Sequence, residues 1–274
     1  MAKLLKIGIV GCGAIGSSLA RTIAGDFKKA ARLAALYDID PHKAATLSHM
    51  LSGGSRLAVK DLEGLILRSN LVIEAAHAHA SYDIAARTLA RGKDVMVMSV
   101  GGIVEHSRAL ERLARRTGTR VYIPSGAISG IDALKAANVG RVRAVTLTTR
   151  KHPLSFRGVK YIEQRAVNLA KIRTDTVLFS GSARRAMKLF PQNVNVAGIL
   201  SLAGIGPEKT RVRIIASPRA KKNIHEIEIQ AEAGTIFTRT ENILHPENPK
   251  TSYLAVLSAV AALRQIVRPV RVGT

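Results

Sequence analysis

Tryptophan is absent, and aromatic residues make up only 4% of the 274-residue chain. Few aromatic platforms are therefore available to stack nucleic-acid bases. Cysteine is scarcer still, since Cys12 stands alone. One cysteine cannot form an internal disulfide, and a reducing cytoplasm is the natural expectation. No stretch has the length of a membrane span. The first strand pattern begins at Leu5, so no cleavable presequence is expected. Acid is also in short supply: 19 Asp and Glu against 42 Lys and Arg leave a net charge of +23. Such a surplus points either to nucleic acid or to a basic surface that concentrates anionic ligands. The basic residues are scattered in pairs such as Lys28-Lys29, Arg115-Arg116, Arg184-Arg185 and Lys221-Lys222, with no long basic run. The second reading is therefore preferred.

What is present is concentrated between Leu5 and Asp38. The apolar run Leu5-Lys6-Ile7-Gly8-Ile9-Val10 has the pattern of a short buried strand. Gly11-Cys12-Gly13-Ala14-Ile15-Gly16 follows and fits G-x-G-x-x-G. A helical pattern with Leu19, Ala20, Ile23 and Ala24 on one face leads to a second strand, Leu33 to Tyr37, ending at Asp38. This is the dinucleotide-binding βαβ fingerprint in its required context. Gly11 permits the tight turn, Gly13 lets a pyrophosphate approach the backbone, and Gly16 lets helix and strand pack closely. The N–H groups at Ala14, Ile15 and Gly16 open the helix toward the phosphates. Asp38, 22 positions after Gly16, stands where an acid accepts hydrogen bonds from the adenosine ribose. It should repel a 2′-phosphate, so NAD is the expected cofactor, with NADP use left open by neighbouring cations.

Further along, Pro41 to Leu51 has helical character, with Asp40 as N-cap, and Gly53-Gly54 ends it. Arg56 to Val59 suggests a short strand and Asp61 to Leu67 a short helix. Leu71 to Ala76, Asp94 to Ser99 and Arg120 to Pro124 are strand patterns, with helices over Ala80 to Arg91 and Val104 to Arg116 between them. Strand and helix in alternation predict a doubly wound parallel sheet of α/β class. Ligands of such sheets lie beyond the strands' carboxyl ends. The residues there include Ala76 and His77, Ser99, and Ser125-Gly126-Ala127. Past Pro124 the pattern changes. Strands are expected over Arg141 to Thr149, Arg211 to Ala216, Asn223 to Ala231 and Thr235 to Thr240. Helices are expected over Ala183 to Leu189 and Asn193 to Leu202. The expectation is a Rossmann domain over residues 1–124 and an α+β catalytic domain with a mostly antiparallel sheet over 125–250. A C-terminal helix over 251–266 is expected to pack back on the first domain.

Among possible chemical groups, His225 is the most informative. Period two places His225, Ile227, Ile229 and Ala231 on one face, and Glu226, Glu228 and Gln230 on the other. An imidazole leading an apolar row is either a satisfied core histidine or a cleft residue. His225-Glu226 is no zinc motif, because position 229 is Ile. His77-x-His79 lacks a third ligand, so no metal site is expected. Asn193 serves as an N-cap or faces a ligand with its amide. Asn248 to Ser252 looks like a plain helix start, yet Lys250 and Thr251 could hold an anion there. Arg150 and Lys151 end a strand and could face the cleft.

Taken together, these segments resemble the L-aspartate dehydrogenase family over nearly the whole chain. The carrying residues are the glycine loop, Val97-Met98-Ser99-Val100-Gly101, Pro124-Ser125-Gly126-Ala127-Ile128 and Phe190-Pro191-Gln192-Asn193-Val194-Asn195-Val196-Ala197. Asn223-Ile224-His225-Glu226 and Asn248-Pro249-Lys250-Thr251-Ser252-Tyr253 complete the set. The resemblance implies NAD(P)-dependent oxidation of L-aspartate to iminoaspartate, which hydrolyses to oxaloacetate and ammonia, or the reverse. It implies His225 as the active-site histidine, with Ala127 and Asn193 as cofactor contacts. It also implies that the imine can feed quinolinate and hence NAD synthesis. Ser129 departs from the family pattern, where a second glycine is usual. A homodimer is expected from exposed strands in the second domain. The two-domain plan is shared with homoserine dehydrogenases and dihydrodipicolinate reductases. A non-catalytic NAD-binding regulator of nucleic acid is the alternative from another class.

Overall fold

Leu5–Val10 (β1) forms because its apolar residues can be covered on both faces, as strands of a parallel sheet require. The computed structural model describes residues 4–190, 195–245 and 248–273. After β1 come Ala14–Asp26 (α1), Ala31–Tyr37 (β2), Pro41–Ser52 (α2), Leu62–Arg68 (α3) and Leu71–Glu74 (β3). Ala78–Ala90 (α4), Asp94–Val97 (β4), Ser107–Thr117 (α5) and Val121–Tyr122 (β5) complete the series. The strands form one parallel sheet in the order β2-β1-β3-β4-β5. Alternation along β1 divides the core in two. Ile7 and Ile9 pack with Leu19, Ile23, Leu71 and Ile73 on one face. Val10 packs with Val72, Leu65, Ile66 and Ile84 on the other. Gly8 lies on that second side, where an added Cβ would meet Leu65 and Ser69. The first face is also covered by Val256, Ala259, Val260 and Leu263 of the last helix, Tyr253–Val267.

Local chemistry sets several boundaries. Asp40 caps α2 by accepting the His42 N–H at 3.1 Å, Pro41 opens the helix, and Gly53 ends it at φ +69°. Arg56 to Val59 is not a strand. Ser55–Leu57 makes a 3-10 turn, and Ala58 bridges to Leu36 only singly. The parallel sheet therefore has five strands rather than the six patterns counted in sequence.

The second unit begins with Ile131–Ala137 (α6), Val142–Lys151 (β6), Lys160–Gln164 (α7), Thr176–Ser182 (β7) and Ala183–Leu189 (α8). Asn195–Ala203 (α9), Arg211–Ala216 (β8), Asn223–Ala231 (β9) and Gly234–Asn242 (β10) follow. Leu244–His245 (β11) and Asn248–Ser252 (β12) form a small ribbon before the last helix, α10. The main sheet runs β10-β9-β6-β8-β7 and is antiparallel except between β6 and β8. Segment 248–252 is thus a strand, and the helix begins after it, at Tyr253. Few as they are, aromatic residues collect in this unit: Tyr161, Phe179 and Phe190 meet edge to face at 5.3–6.2 Å. The two compact units are Met1–Pro124 with Val256–Val272, and Ser125–Ala255 with Gly273–Thr274.

Candidate active site

In the first unit the glycine loop leaves β1 with Gly11 at φ +93°, a conformation that favours glycine. An added Cβ at Gly11 would run into the Ala75 carbonyl, and one at Gly16 into the Gly11 carbonyl. At Gly13 the same atom would meet nothing within 4 Å. Two glycines are therefore required by packing, while the third borders open space. Gly13 also stands at the N-cap of α1, where no side chain caps the helix. The first-turn amides, among them those of Ala14, Ile15 and Gly16, thus have no capping side chain. Backbone donors beside open space are the chemistry that a pyrophosphate needs, so the loop fits a dinucleotide.

Asp38 closes this loop from the side. Its Oδ2 accepts the Cys12 N–H at 2.7 Å, and its Oδ1 accepts the Asp40 N–H at 2.9 Å. The carboxylate thus pins the glycine loop to the end of β2 and keeps lone pairs for a further donor. Burial, reinforced by the Asp38 charge, pushes the Cys12 thiol up to about 12. The thiol is protonated and inert as a nucleophile. A cavity of about 260 Å³ beside the loop is lined by Cys12, Ser17, Arg21, His42 and Lys43, among others.

At the carboxyl ends of β3 and β4, Glu74 is fully buried. Its two oxygens accept the N–H of Ala76 at 2.8 Å and of Ser99 at 3.0 Å. Ser99 Oγ donates in turn to the Ala76 carbonyl at 2.9 Å. Burial raises the Glu74 pKa, against the opposing pull of these N–H groups. The sequence placed Ala76 and Ser99 at a ligand-facing rim. The structure ties them to each other through the buried carboxylate of Glu74. His77 is exposed at the N-cap of α4 and makes no side-chain cap bond.

In the second unit, period two holds along β9. His225, Ile227, Ile229 and Ala231 are buried, while Glu228 and Gln230 are exposed. The register sets His225 opposite Thr149 of β6 and opposite Thr240 of β10. Thr149 Oγ1 lies 3.0 Å from His225 Nδ1. The Thr149 and His225 side chains are only 1% and 4% exposed. Two residues further along β6, on the same face as Thr149, stands Lys151. Burial pushes its pKa down to about 8. Burial, and then the Lys151 charge, push the His225 pKa down to about 3. The imidazole is therefore neutral across the physiological range, against about 6.5 for a free side chain. Arg150 points to the other face, where it pairs with Asp175 at 2.8 Å and Glu226 at 3.2 Å.

Ala127 is drawn to this same edge of the sheet. Its carbonyl accepts the buried Asn242 Nδ2–H at 2.9 Å and the Thr240 hydroxyl at 3.3 Å. Of the residues singled out in sequence, the second unit thus gathers His225, Lys151 and Ala127. Asn193 lies outside the described residues, as do the side chains of Lys250 and Thr251. Thr149, Thr240 and Asn242 were missed. Their polar atoms sit within ordinary strand patterns, and only cross-strand register shows what they face. Among the described residues, no group of His, Cys, Asp and Glu is arranged to hold a metal ion. Among the same residues, no helix is long and apolar enough to cross a membrane.

A five-stranded parallel sheet with an open glycine loop, joined to a sheet that buries a histidine, defines a two-unit, nicotinamide-dependent dehydrogenase. Residues 11–124 match the family model of the homoserine dehydrogenase NAD-binding domain, and residues 132–266 match that of the aspartate dehydrogenase C-terminal region. The L-aspartate dehydrogenase of Methanococcoides burtonii is 44% identical over 99% of this chain and 100% of its own. That of Methanosarcina acetivorans is 45% identical over the same shares. The crystal structure of aspartate dehydrogenase from Thermotoga maritima superposes with a TM-score of 0.75 at 25% identity, covering 99% of this chain and 100% of that one. A homoserine dehydrogenase from Thiobacillus denitrificans shares the fold at 12% identity and a TM-score of 0.62. The chain belongs to the L-aspartate dehydrogenase family, a family of oxidoreductases.

Proposed function

We propose that the protein catalyses nicotinamide-dependent oxidation of L-aspartate to iminoaspartate, followed by hydrolysis to oxaloacetate and ammonia, and the reverse amination. The observation that carries this reading is the buried His225, bonded to Thr149, with Lys151 on the same sheet face. When bound, the cofactor supplies a hydride acceptor at the nicotinamide C4. Gly11, Gly13, Ala14, Ile15 and Gly16 cradle its pyrophosphate, and Asp38 accepts from its adenosine ribose. Ala76, His77, Ser99, Ala127 and Asn193 are the further cofactor contacts in this reading. Asp38 favours NAD, while Arg21 and Lys43 around the neighbouring cavity supply the counter-charge that lets NADP bind more weakly.

In the chemical steps, His225 Nε2 is the ring nitrogen left for the substrate, since Nδ1 faces Thr149. It takes the proton that the substrate ammonium must lose before oxidation and releases it to solvent, and it later takes one from the water that attacks the imine and hands it to the departing ammonia. Burial is the larger cause of the low His225 pKa and the Lys151 charge the smaller, and a substrate carboxylate on the Lys151 ammonium offsets the smaller one. Docking of the dianion therefore strengthens the base it is about to use. Lys250, Thr251 and Asn193 are the remaining candidates for carboxylate binding. The reading extends to a cytoplasmic homodimer that feeds pyridine nucleotide synthesis. Its dimer part is supported by the edge strand β10, which exposes Phe237.

Purified protein given L-aspartate and NAD should form NADH and oxaloacetate, and His225→Ala should abolish most of this turnover while NADH binding persists. The expected loss is on the order of 10²- to 10⁴-fold in kcat. Oxidation of homoserine but not aspartate would replace this reading with the homoserine dehydrogenase one. Near-normal turnover in the variant would remove His225 from the chemistry.

A further inference from the structure

We propose that Thr149 is the positioning residue for His225: its hydroxyl selects the imidazole tautomer in which Nδ1 carries the proton and Nε2 keeps the lone pair. The inference rests on the reading of His225 as the base.

The two residues sit directly opposite each other on neighbouring strands of the β10-β9-β6-β8-β7 sheet. Their separation of 3.0 Å is a hydrogen-bond distance, and both side chains are buried. The next pair along the same face, Leu147 and Ile227, is apolar. A neutral imidazole has one N–H and one lone pair, and a hydroxyl can meet Nδ1 as acceptor or as donor; the base role fixes the direction, because only a proton on Nδ1 leaves the Nε2 lone pair for the substrate. Threonine suits the task better than serine at a single angle. Its branched Cβ restricts χ1, so the hydroxyl direction is set by the strand before any substrate arrives. With Oγ1 accepting from Nδ1–H, the Nε2 lone pair stands ready for a proton from the substrate.

The groups around the ring agree with this assignment. Lys151, on the same face of β6, is the charged group that acts on His225. Its ammonium disfavours a doubly protonated ring, so the choice between two neutral tautomers governs reactivity. Glu226, the next residue of β9, lies on the opposite face. There it is engaged by Arg150 and Arg239, and it does not compete for the ring. Thr240 faces His225 from β10, but its hydroxyl donates to the carbonyls of Ala127 and of His225 itself. Thr149 is thereby the hydroxyl that addresses the ring nitrogen.

The test uses full-length protein labelled with ¹⁵N at histidine, as wild type, Thr149→Val, Thr149→Ser and His225→Asn. The His225 ring signals are identified by their loss in His225→Asn. In the ligand-free wild type they should report a protonated Nδ1 and an unprotonated Nε2. Thr149→Ser should keep that pattern, and Thr149→Val should show the other tautomer or a mixture. In parallel, Thr149→Val should lower kcat about ten- to hundredfold with the KM for aspartate little changed, and Thr149→Ser should recover most of the loss. A wild-type ring that is protonated on Nε2 overturns the proposal, and this needs no variant to fold. So does Thr149→Val with the wild-type ring pattern. Full turnover by His225→Asn would instead overturn the base assignment, while the ring signals would still decide what Thr149 does.

Discussion

Asp38 Oδ2 accepts the backbone N–H of Cys12 at 2.7 Å, so the acid at the end of β2 is also a clamp on the glycine loop. In the proposed reading Asp38 also binds the adenosine ribose, so it acts on the cofactor twice, through the sugar and through the loop proposed to carry the phosphates. Asp38→Ala should therefore weaken NAD binding and also shift cofactor choice. Removing the negative charge beside Arg21, His42 and Lys43 favours a 2′-phosphate. Hydrogen bonds to a charged group contribute about 1.5–3 kcal/mol. The ratio of kcat/KM for NAD to that for NADP should accordingly fall by about tenfold or more. An unchanged ratio would mean that Asp38 serves the loop alone.

His225 also leaves a signature in folding. Its pKa in the folded protein, about 3, lies below its unfolded value. Between these two values the unfolded chain binds more protons than the folded one, so stability rises with pH. This contribution is complete above about pH 6.5 and is lost as pH falls toward 3. His225→Gln, which does not titrate, should flatten this part of the stability curve measured by urea titration between pH 4 and 7. An equally steep curve in the variant would place the titrating group elsewhere.

Glu74 offers a stability test within the first unit. Both its oxygens accept N–H groups, from Ala76 and Ser99. Glu74→Gln keeps the shape but turns one acceptor into an N–H₂ that faces an N–H. A buried group left without its partner costs about 1–3 kcal/mol. For a chain of this size, that is a fall in Tm of roughly 2–10 °C. Loosening of the Ala76 and Ser99 ends should raise the NADH Kd as well. A Tm equal to wild type would show that the carboxylate is not what joins the two strand ends.

How much of this was legible in sequence depended on whether the cause was local. The β1–loop–α1–β2 unit was clear because its signals lie within 34 residues, Leu5 to Asp38, and each acts on its neighbours. The buried face of β9 was clear because alternation is a property of one strand. Thr149 could not be matched to His225, because the pairing spans 76 residues and depends on strand register. The depressed pKa of His225 was hidden for the same reason, since it follows from burial and from a lysine on another strand. Strand β7 was missed because Thr176–Ser182 carries Ser180, Gly181 and Ser182 where a strand pattern would show apolar residues. Helix α6 was missed because seven residues show too few periods to stand out.

Lys151 gives a prediction that separates binding from chemistry. With its pKa lowered to about 8, it is an ammonium below that pH and a neutral amine above it. Succinate has the two carboxylates of aspartate but no amine, and both stay ionised across this range. Its inhibition constant should therefore follow Lys151 alone: tight binding below pH 8, weakening as pH rises through 8 to 9. Lys151→Met should remove this dependence and weaken succinate at pH 7 by about ten- to hundredfold, the worth of a charge-assisted contact of about 1.5–3 kcal/mol. The turnover of Lys151→Met at saturating aspartate should fall less than that of His225→Ala, because His225 remains in place. A succinate inhibition constant that is flat from pH 7 to 9 in the wild type would remove Lys151 from the substrate site. The carboxylates would then be left to Asn193, Lys250 and Thr251.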